Sequence, residues 1–354
     1  MNLDHLRTEI DTLDSEIVRL LNERINVVLK IGEEKKKSGA EIYVPSRERA
    51  VFEKIKSLNA GPLPDESMHA IYREIMSAAL ALETEMKIAY LGPEATFTHQ
   101  AARNKFGVSV EYIPTGTIAE VFDKVQSRAA DYGVVPIENS TEGAVTHTFD
   151  QFATTTLKIC AEAYLPISLT LLSNKPKEAI TLIFSKQEVF GQCRGWLGSN
   201  MPNVKLSPVE STTKAVQLAM ETPGAAAIAS VMASDMYEVD VLAENIQDMQ
   251  GNTTRFLIIG QEYSAPTGCD KTSIVFGVKH RVGALYDALS VFKADNINMT
   301  KIESRPSRNK AWEYYFFVDI DGHVEQPEVK RALDELQEHC TLMTVLGSYP
   351  KAEI

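Results

Sequence analysis

The chain has 354 residues, 44% of them hydrophobic and 24% charged, so it is long enough for two or three globular domains and too apolar to be mostly disordered. A net charge of -12 argues against a nucleic acid or an anionic membrane as a partner. No apolar run approaches the ~18 residues needed to cross a bilayer, and the first residues lack the apolar core of a signal peptide. The four cysteines are scattered and the histidines form no metal-binding motif, which predicts reduced thiols in a cytoplasmic protein and no metal.

The first unit, residues 1–86, is predicted to be all-helical. A long first helix is indicated by apolar residues at alternating spacings of three and four, as in a coiled-coil seam: Leu3, Leu6, Ile10, Leu13, Ile17 and Leu20. Second and third helices are predicted to begin near Pro45 and Pro64. Three helices of such unequal length cannot cover one another's apolar seams, so we expect a helical dimer.

Charged residues interrupt these apolar helical faces. Arg24 stands at the next seam position after Leu20, and Lys35 follows three turns later on nearly the same face. Glu48 and Glu83 lie at helical spacings from the apolar residues of the second and third helices. One interpretation is that Arg24–Glu48 and Lys35–Glu83 pair internally and fix the register. Four such charges on three helices favour instead a polar pocket for an anionic ligand.

The second unit, residues 87–264, alternates short apolar strands with helices, which predicts α/β architecture in two lobes around a shared cleft. Strands are predicted at 87–92, 131–137, 181–185 and 209–211. Hydroxyl-bearing residues follow each strand, where helix N-termini favour anions, although ordinary N-capping explains any single one. The clusters are Thr96 and Thr98; Asn139, Ser140 and Thr141; Ser185; Ser211, Thr212 and Thr213; and a fifth that adds a cation, Asn252-Thr253-Thr254-Arg255-Phe256.

The last unit, residues 271–350, is predicted to follow a short linker, SAPTGCDKTS. Its strands are expected at 272–279, 297–304, 312–319 and 342–348, with helices at 282–294 and 325–338. This βαββαβ order is that of a ferredoxin-like fold. Gly283 opens its first helix and Glu303-Ser304-Arg305-Pro306 ends its second strand, two features that ordinary turn chemistry also explains.

The helical unit resembles the chorismate mutase family through LRTEID, NERI, GEEKKKSG and PSRERAVFEKI. The resemblance implies an intertwined dimer that rearranges the dicarboxylate chorismate without a cofactor. It assigns substrate contacts to Arg7 of the opposite protomer, Arg24, Lys35, Arg47, Glu48 and Glu83. In this chemistry the site holds the reactive conformer and stabilises charge on the breaking ether oxygen, for which Lys35 and Glu83 are the expected donors. Glu48 is expected to accept from the substrate hydroxyl. Val44 and Ala79 depart from the family's acidic and hydroxyl residues.

The middle unit resembles prephenate dehydratase through GPEATFTHQAA, VVPIENSTEGAV, FSKQEVFGQC, ESTTKA and NTTRF. The resemblance implies loss of CO2 and hydroxide from prephenate, driven by aromatisation. Thr254 is then the expected donor to the leaving hydroxyl, and Arg255 a candidate carboxylate or positioning contact. Glu138 is a candidate for the relay behind Thr254 or an anchor of its turn. Ala95 and Lys186 replace the family's usual glycine and histidine. The substrate contacts that the resemblance implies are Thr96, Glu138, Asn139, Ser140, Thr141, Ser185, Gln192, Thr212, Thr254 and Arg255.

The last unit resembles the ACT regulatory domain through VGALYDAL and ESRP. In that domain the two loops from two subunits enclose phenylalanine, which implies feedback inhibition by L-phenylalanine. Tyr286 stands where valine is common. The effector contacts that the resemblance implies are Gly283, Ala284, Leu285, Glu303, Ser304, Arg305 and Pro306.

The three resemblances occur in metabolic order and together predict a bifunctional enzyme of phenylalanine biosynthesis, with no cofactor, that forms a homodimer or a higher homo-oligomer. One alternative is a prephenate dehydratase whose helical unit serves only for dimerisation. Another, from a different class, is a small-molecule-binding regulator without catalysis, although such a protein has no evident need for Thr254-Arg255-Phe256 beside an acidic turn.

Overall fold

The computed structural model describes residues 3–38, 43–306 and 314–352. The chain divides into two compact units: the first combines Met1–Lys87 with Lys105–Glu111, and the second combines Ile88–Asn104 with Tyr112–Ile354. Among the described residues, no helix is both long enough and apolar enough to cross a membrane.

The first unit is built on three helices, as predicted: α1 (Leu3–Ser38), α2 (Pro45–Leu58) and α3 (Asp65–Glu83). Pro45 is the first residue of α2, a position where its missing N–H breaks no helical hydrogen bond. The much greater length of α1 leaves most of its apolar seam uncovered within one chain. The exposed seam residues are Leu3, Leu6, Ile10, Leu13, Ile17, Leu20, Val27 and Ile31.

The described residues after α3 contain further helices and the strands. The strands are β1 (Lys87–Leu91), β2 (Glu111–Thr115), β3 (Tyr132–Asn139), β4 (Gly143–Ala144), β5 (Lys158–Pro166), β6 (Thr170–Leu172), β7 (Leu182–Ser185), β8 (Lys205–Pro208), β9 (Ala225–Ala229), β10 (Val241–Ala243), β11 (Thr253–Gly260), β12 (Asp270–Val278), β13 (Met299–Pro306), β14 (Tyr314–Asp321) and β15 (Cys340–Pro350). The helices are α4 (Phe97–Phe106), α5 (Ile118–Gln126), α6 (Thr146–Phe152), α7 (Gln187–Gln192), α8 (Arg194–Asn200), α9 (Thr212–Glu221), α10 (Met232–Tyr237), α11 (Ala284–Ala294) and α12 (Pro327–His339), with a 3₁₀ turn at Lys177–Ala179.

Two mixed sheets form the two predicted α/β lobes. The first sheet has the order β2-β1-β3-β11-β5, in which β1 is parallel to β3 and β11 is antiparallel to both of its neighbours. The second has the order β10-β6-β9-β7-β8. The strand predicted at 209–211 is wrong: β8 ends at Pro208, and the Ser211 hydroxyl accepts the backbone N–H of Lys214 at 3.0 Å as the N-cap of α9.

The third sheet is fully antiparallel, in the order β13-β14-β12-β15, and its helices α11 and α12 share one apolar core with it. This confirms the predicted βαββαβ unit. The linker is shorter than expected because β12 already begins at Asp270, which is buried. Residues 312 and 313 of the predicted third strand lie outside the described residues.

The third sheet packs directly against the first. At Gly347 on β15, a Cβ atom would lie 2.1 Å from the backbone oxygen of Ile159 on β5, so only glycine permits this approach. One apolar core joins the two sheets and includes Leu257 of β11 together with Phe317 and Leu346 of the third sheet. One face of β3 and β11 therefore looks onto the third sheet.

Candidate active sites

The first candidate, here called the helical site, comprises Arg24, Lys35, Glu48 and Glu83. Arg24 Nη1 is buried, and among the described residues it has no hydrogen-bond partner. Lys35 Nζ lies 4.0 Å from Glu83 Oε1, at the limit of an ion pair. Lys35 and Glu83 thus approach each other as the internal-pairing interpretation expected, whereas within the described chain Arg24 forms no ion pair with Glu48. A buried guanidinium nitrogen without a partner favours an anionic ligand.

Glu83 occupies the last turn of α3 and is buried against Gly32 of α1. A Cβ atom at Gly32 would lie 2.5 Å from Glu83 Cγ, so glycine is what allows this carboxylate to reach the first helix. Its Oε1 atom is buried, with no hydrogen-bond partner in the described parts of the chain. Gly32 is not among the predicted site residues, although a glycine inside a long helix costs about 1 kcal/mol and is a signal of close packing.

Glu48 lies in the first turn of α2 and has partners that the sequence did not indicate. Its Oε2 atom accepts hydrogen bonds from Tyr43 Oη at 2.8 Å and from Lys105 Nζ. Both partners belong to the first unit. Arg47, beside it, is exposed. Arg7 is also exposed, and its Nη1 atom lies 3.7 Å from Asp4 Oδ1, away from the other charges of the helical site. Its expected role is in the helical site of a second protomer.

The second candidate, here called the cleft site, comprises Asn139, Ser140, Thr141 and Thr254. Thr254 on β11 is paired in register with Asn139 on β3, and Asn139 Nδ2 donates to Thr254 Oγ1 at 2.8 Å. Asn139 Oδ1 accepts from the backbone N–H and the hydroxyl of Thr141 at 2.9 and 2.6 Å. Because Thr254 Oγ1 accepts from Asn139, its own proton is directed elsewhere, and none of the described residues accepts it.

The remaining predicted cleft residues lie at the ends of other elements. Gln192 Nε2 donates to Glu142 Oε1 at 2.6 Å, which links the second lobe to the turn after β3. Ser185 is buried and donates to the backbone oxygen of Ile228 at 2.7 Å. Thr96 donates to the backbone oxygens of Leu91 and Pro93, and Thr212 is the buried first residue of α9. These hydroxyls therefore also fulfil the structural roles expected at turns and helix starts.

Arg255 and Glu138 point away from the cleft site, a placement that favours a positioning contact for Arg255 over a contact with a substrate carboxylate. Successive strand residues face opposite sides, so these neighbours of Thr254 and Asn139 face the third sheet. Arg255 Nε donates to Glu162 at 2.8 Å, and Nη1 donates to Glu138 at 3.0 Å and to Asp319 at 2.6 Å. Nη2 donates to Tyr349 Oη at 3.0 Å.

This buried cluster, the Arg255 network, surrounds one guanidinium with three carboxyl groups and a tyrosine hydroxyl. Burial alone would lower the pKa of the Arg255 guanidinium, but Tyr349 and Asp319 around it raise that pKa well above its ordinary value. Burial acts to raise the pKa of Glu138, whereas the hydrogen bonds and charges of Lys301 and Arg255 lower it overall. The network consequently ties the two strands that carry Asn139 and Thr254 to the third sheet.

The predicted effector residues lie at two places in the third sheet's unit. Gly283 has φ +78° and precedes α11, a left-handed conformation that favours glycine. Residues of β13 alternate, so that Glu303 and Arg305 are half-buried while Ser304 and Pro306 are exposed. Ala284 is buried, Leu285 is half-buried and Tyr286 is exposed.

The turn before α4 is held by a buried histidine, His99, that is not among the predicted site residues. His99 Nδ1 accepts the backbone N–H of Ala95 at 3.1 Å, and its ring stacks on Tyr90 at 4.6 Å. Ala95 has φ +60°, which explains why glycine is usual there in the family it resembles. Burial, with a smaller effect of Arg103, lowers the pKa of His99 to about 4.

We expect acid to destabilise the protein through His99. The unfolded chain takes up this proton near pH 6.5 and the folded chain only near pH 4, so the folded state loses about 3 kcal/mol as pH falls across that interval. Urea unfolding measured from pH 7 to pH 4 in the wild type and His99→Asn checks this, since asparagine offers an acceptor but does not titrate. The same pH slope in both proteins would contradict the assignment.

The described residues contain no group of three or more His, Cys, Asp or Glu side chains that could hold a metal ion.

Three families match successive parts of the chain: chorismate mutase type II at residues 6–84, prephenate dehydratase at 88–264 and the ACT domain at 272–338. The bifunctional chorismate mutase/prephenate dehydratase of Aquifex aeolicus is 52% identical over 99% of this chain and 98% of its own. That of Neisseria gonorrhoeae is 44% identical over 98% of this chain and 96% of its own.

Among solved structures, prephenate dehydratase from Arthrobacter aurescens in complex with L-Phe is 32% identical with a TM-score of 0.70, covering 75% of this chain and 90% of that chain. GqqA, described as a quorum quenching acylase, also has a TM-score of 0.70 at 26% identity, covering 75% of this chain and 98% of its own. The shared fold therefore does not select the activity by itself.

Proposed function

Because this chain belongs to the bifunctional chorismate mutase/prephenate dehydratase family, we propose that its helical site binds chorismate and its cleft site binds prephenate. The enzyme rearranges chorismate to prephenate and then decarboxylates and dehydrates prephenate to phenylpyruvate, two steps of L-phenylalanine biosynthesis. Identity of 52% over nearly the full length, helical unit included, favours this over a dehydratase with a dimerisation module. The observation that supports the helical site most strongly is the buried Arg24 Nη1 without a partner among the described residues.

In the helical site, Arg24 and Lys35 bind the carboxylates of chorismate, Lys35 donates a hydrogen bond to the ether oxygen, and Glu83 lies against that oxygen. The Glu48 carboxylate accepts a hydrogen bond from the substrate hydroxyl. The rearrangement is intramolecular, so the site contributes orientation and charge stabilisation without a nucleophile. Arg47 contributes at the exposed rim of the site.

Arg7 completes the helical site of a second copy of the chain. The support for a homodimer is the exposed apolar seam of α1, since an uncovered stripe of this length is stable in water only against a partner. Arg7 lies on the same helix, between Leu6 and Ile10. When the seam of α1 packs against the second protomer, Arg7 therefore reaches the helical site of that protomer.

In the cleft site, Thr254 donates its proton to the hydroxyl that leaves prephenate. Threonine is a weak acid, and the hydrogen bond from Asn139 Nδ2 stabilises negative charge that develops on Thr254 Oγ1. Aromatisation of the ring drives the loss of CO2 in the same step. The residues that orient prephenate are Thr96, Ser140, Thr141, Ser185, Gln192 and Thr212. Arg255 and Glu138 act behind the site as positioning residues.

The third sheet's unit binds L-phenylalanine and thereby inhibits the dehydratase. Its sites comprise Gly283, Ala284 and Leu285 with Glu303, Ser304, Arg305 and Pro306. The Arthrobacter relative in complex with L-Phe supports this ligand. Inhibition requires phenylalanine to bind a less active arrangement more tightly than the active one. We place the enzyme in the cytoplasm, where its four free cysteines stay reduced.

The test is to supply chorismate to the purified protein and to follow prephenate and phenylpyruvate with and without L-phenylalanine. Prephenate is expected first, then phenylpyruvate, and saturating phenylalanine is expected to slow the second step. Phenylpyruvate from added prephenate but none from chorismate would reduce the helical unit to a dimerisation module. An unchanged dehydratase velocity in phenylalanine would contradict the effector site.

A further inference from the structure

We infer that Lys105 is a positioning residue of the chorismate mutase site, where it holds the carboxylate of Glu48. Lys105 lies outside residues 6–84, which match the mutase family, and inside residues 88–264, which match the dehydratase family. In the structure, however, it belongs to the first compact unit. The inference rests on the proposed role of Glu48 in binding the substrate hydroxyl.

The contacts of Glu48 divide its two oxygens between different tasks. Lys105 Nζ and Tyr43 Oη both donate to Oε2, and no described residue donates to Oε1. The Lys105 and Glu48 side chains are only 21% and 12% exposed, so solvent screens this pair less than a surface pair. With Oε2 fixed by two donors, Oε1 is presented in one orientation as a hydrogen-bond acceptor.

The segment after Lys105 is fixed to the helical unit by several contacts. Gly107 has φ +75°, and a Cβ atom there would lie 2.4 Å from Ser77 Cβ on α3. The backbone N–H groups of Val108 and Ser109 donate to Glu74 Oε2 and Ser77 Oγ, each at 3.0 Å. Lys105 is therefore presented to Glu48 from a backbone with a defined place on α3, unlike a lysine on a free surface.

The second donor to Glu48 Oε2, Tyr43, is held by the same segment. Phe106 packs its ring against Tyr43 with a centroid distance of 5.1 Å, and Tyr43 is almost fully buried. Successive residues 105 and 106 thus fix both donors to Oε2, one directly and one through its ring.

Replacing Lys105 with methionine is expected to lower mutase kcat/KM about 10-fold, since a charge-assisted hydrogen bond that orients an acceptor is lost. Lys105→Arg is expected to restore most of the activity, because a cationic donor returns. Dehydratase kcat/KM, measured with prephenate on the same preparation, is expected to stay unchanged. The matched control is Lys87→Met, which removes another lysine–glutamate pair of this unit, to Glu111 at 3.6 Å, away from Glu48.

A double-mutant cycle with Glu48→Gln separates positioning from folding. If Lys105 acts through Glu48, adding Lys105→Met to Glu48→Gln lowers mutase kcat/KM no further. Additive losses, equal losses of both activities, or wild-type mutase kcat/KM in Lys105→Met would each overturn the inference. A wild-type protein that makes no prephenate from chorismate would overturn the proposed function of the helical site, and this inference with it.

Discussion

Replacing Thr254 with alanine is expected to lower dehydratase kcat by about 10²–10³-fold while mutase kcat stays at the wild-type value. The Thr254 hydroxyl accepts from Asn139, and no described residue takes up its proton, so this proton is available to the leaving hydroxyl. The mutase reaction uses other residues on other elements and does not depend on it. Steady-state rates measured separately with prephenate and with chorismate check the two halves of the prediction.

Two variants control for the fold around Thr254. Thr254→Ser keeps the hydroxyl and is expected to retain much of the dehydratase activity. Thr253→Ala removes the neighbouring hydroxyl, which donates only a long hydrogen bond of 3.4 Å to the backbone oxygen of Gly251. This variant is expected to keep nearly the wild-type dehydratase rate. Equal loss of dehydratase and mutase activity in Thr254→Ala would contradict two independent sites.

Replacing Arg255 with methionine is expected to destabilise the protein by about 3–5 kcal/mol. Methionine retains much of the apolar length of the arginine side chain. It removes the cation that Glu138, Glu162 and Asp319 share, although Glu162 and Asp319 remain buried. Lys271 still pairs with Glu162, so the loss is largest at Asp319. Urea unfolding followed by a probe in the second compact unit measures this change in free energy.

The matched control is Arg331→Met, which breaks an arginine–aspartate pair of the same 2.6–2.7 Å length on the surface of the third sheet's unit. Arg331 is 64% exposed, so its loss is expected to change stability by no more than about 0.5 kcal/mol. Similar small effects for both arginines would show that the Arg255 network is not a stabilising link between the sheets.

The charges of the helical site were predictable from the sequence because helical periodicity marks which positions should be apolar. Arg24, Lys35, Glu48 and Glu83 stand out for that reason alone. Their partners were not predictable, because Lys105 follows Glu48 by 57 residues and no local pattern joins them. Gly32 is intermediate: its place inside a long helix is visible in the sequence, while the carboxylate that it accommodates is not.

The separate faces of the Thr254 and Arg255 pair could have been read from the sequence. Adjacent residues on a strand point in opposite directions, so a cleft role for Thr254 excludes the same role for Arg255, and likewise for Asn139 and Glu138. Residue spacing does not predict which part of the chain packs against the face that carries Arg255. Asp319 follows Arg255 by 64 residues, and only the packing of the third sheet on the first brings them together.

The strand expected at 209–211 shows a different limit. The strand β8 ends at Pro208, before Val209, and the hydroxyl of Ser211 caps a helix. The capping chemistry of Ser211 therefore decides the structure here more than the β propensity of one valine.

The most direct test of whether one chain carries two catalytic centres is to give chorismate to the Thr254→Ala enzyme and to measure the amounts of prephenate and phenylpyruvate formed. We predict that prephenate accumulates at the wild-type rate and in an amount equal to the chorismate consumed, with no phenylpyruvate above the spontaneous background. Chorismate left unconsumed by this variant, under conditions where the wild type converts it, would contradict two independent catalytic centres.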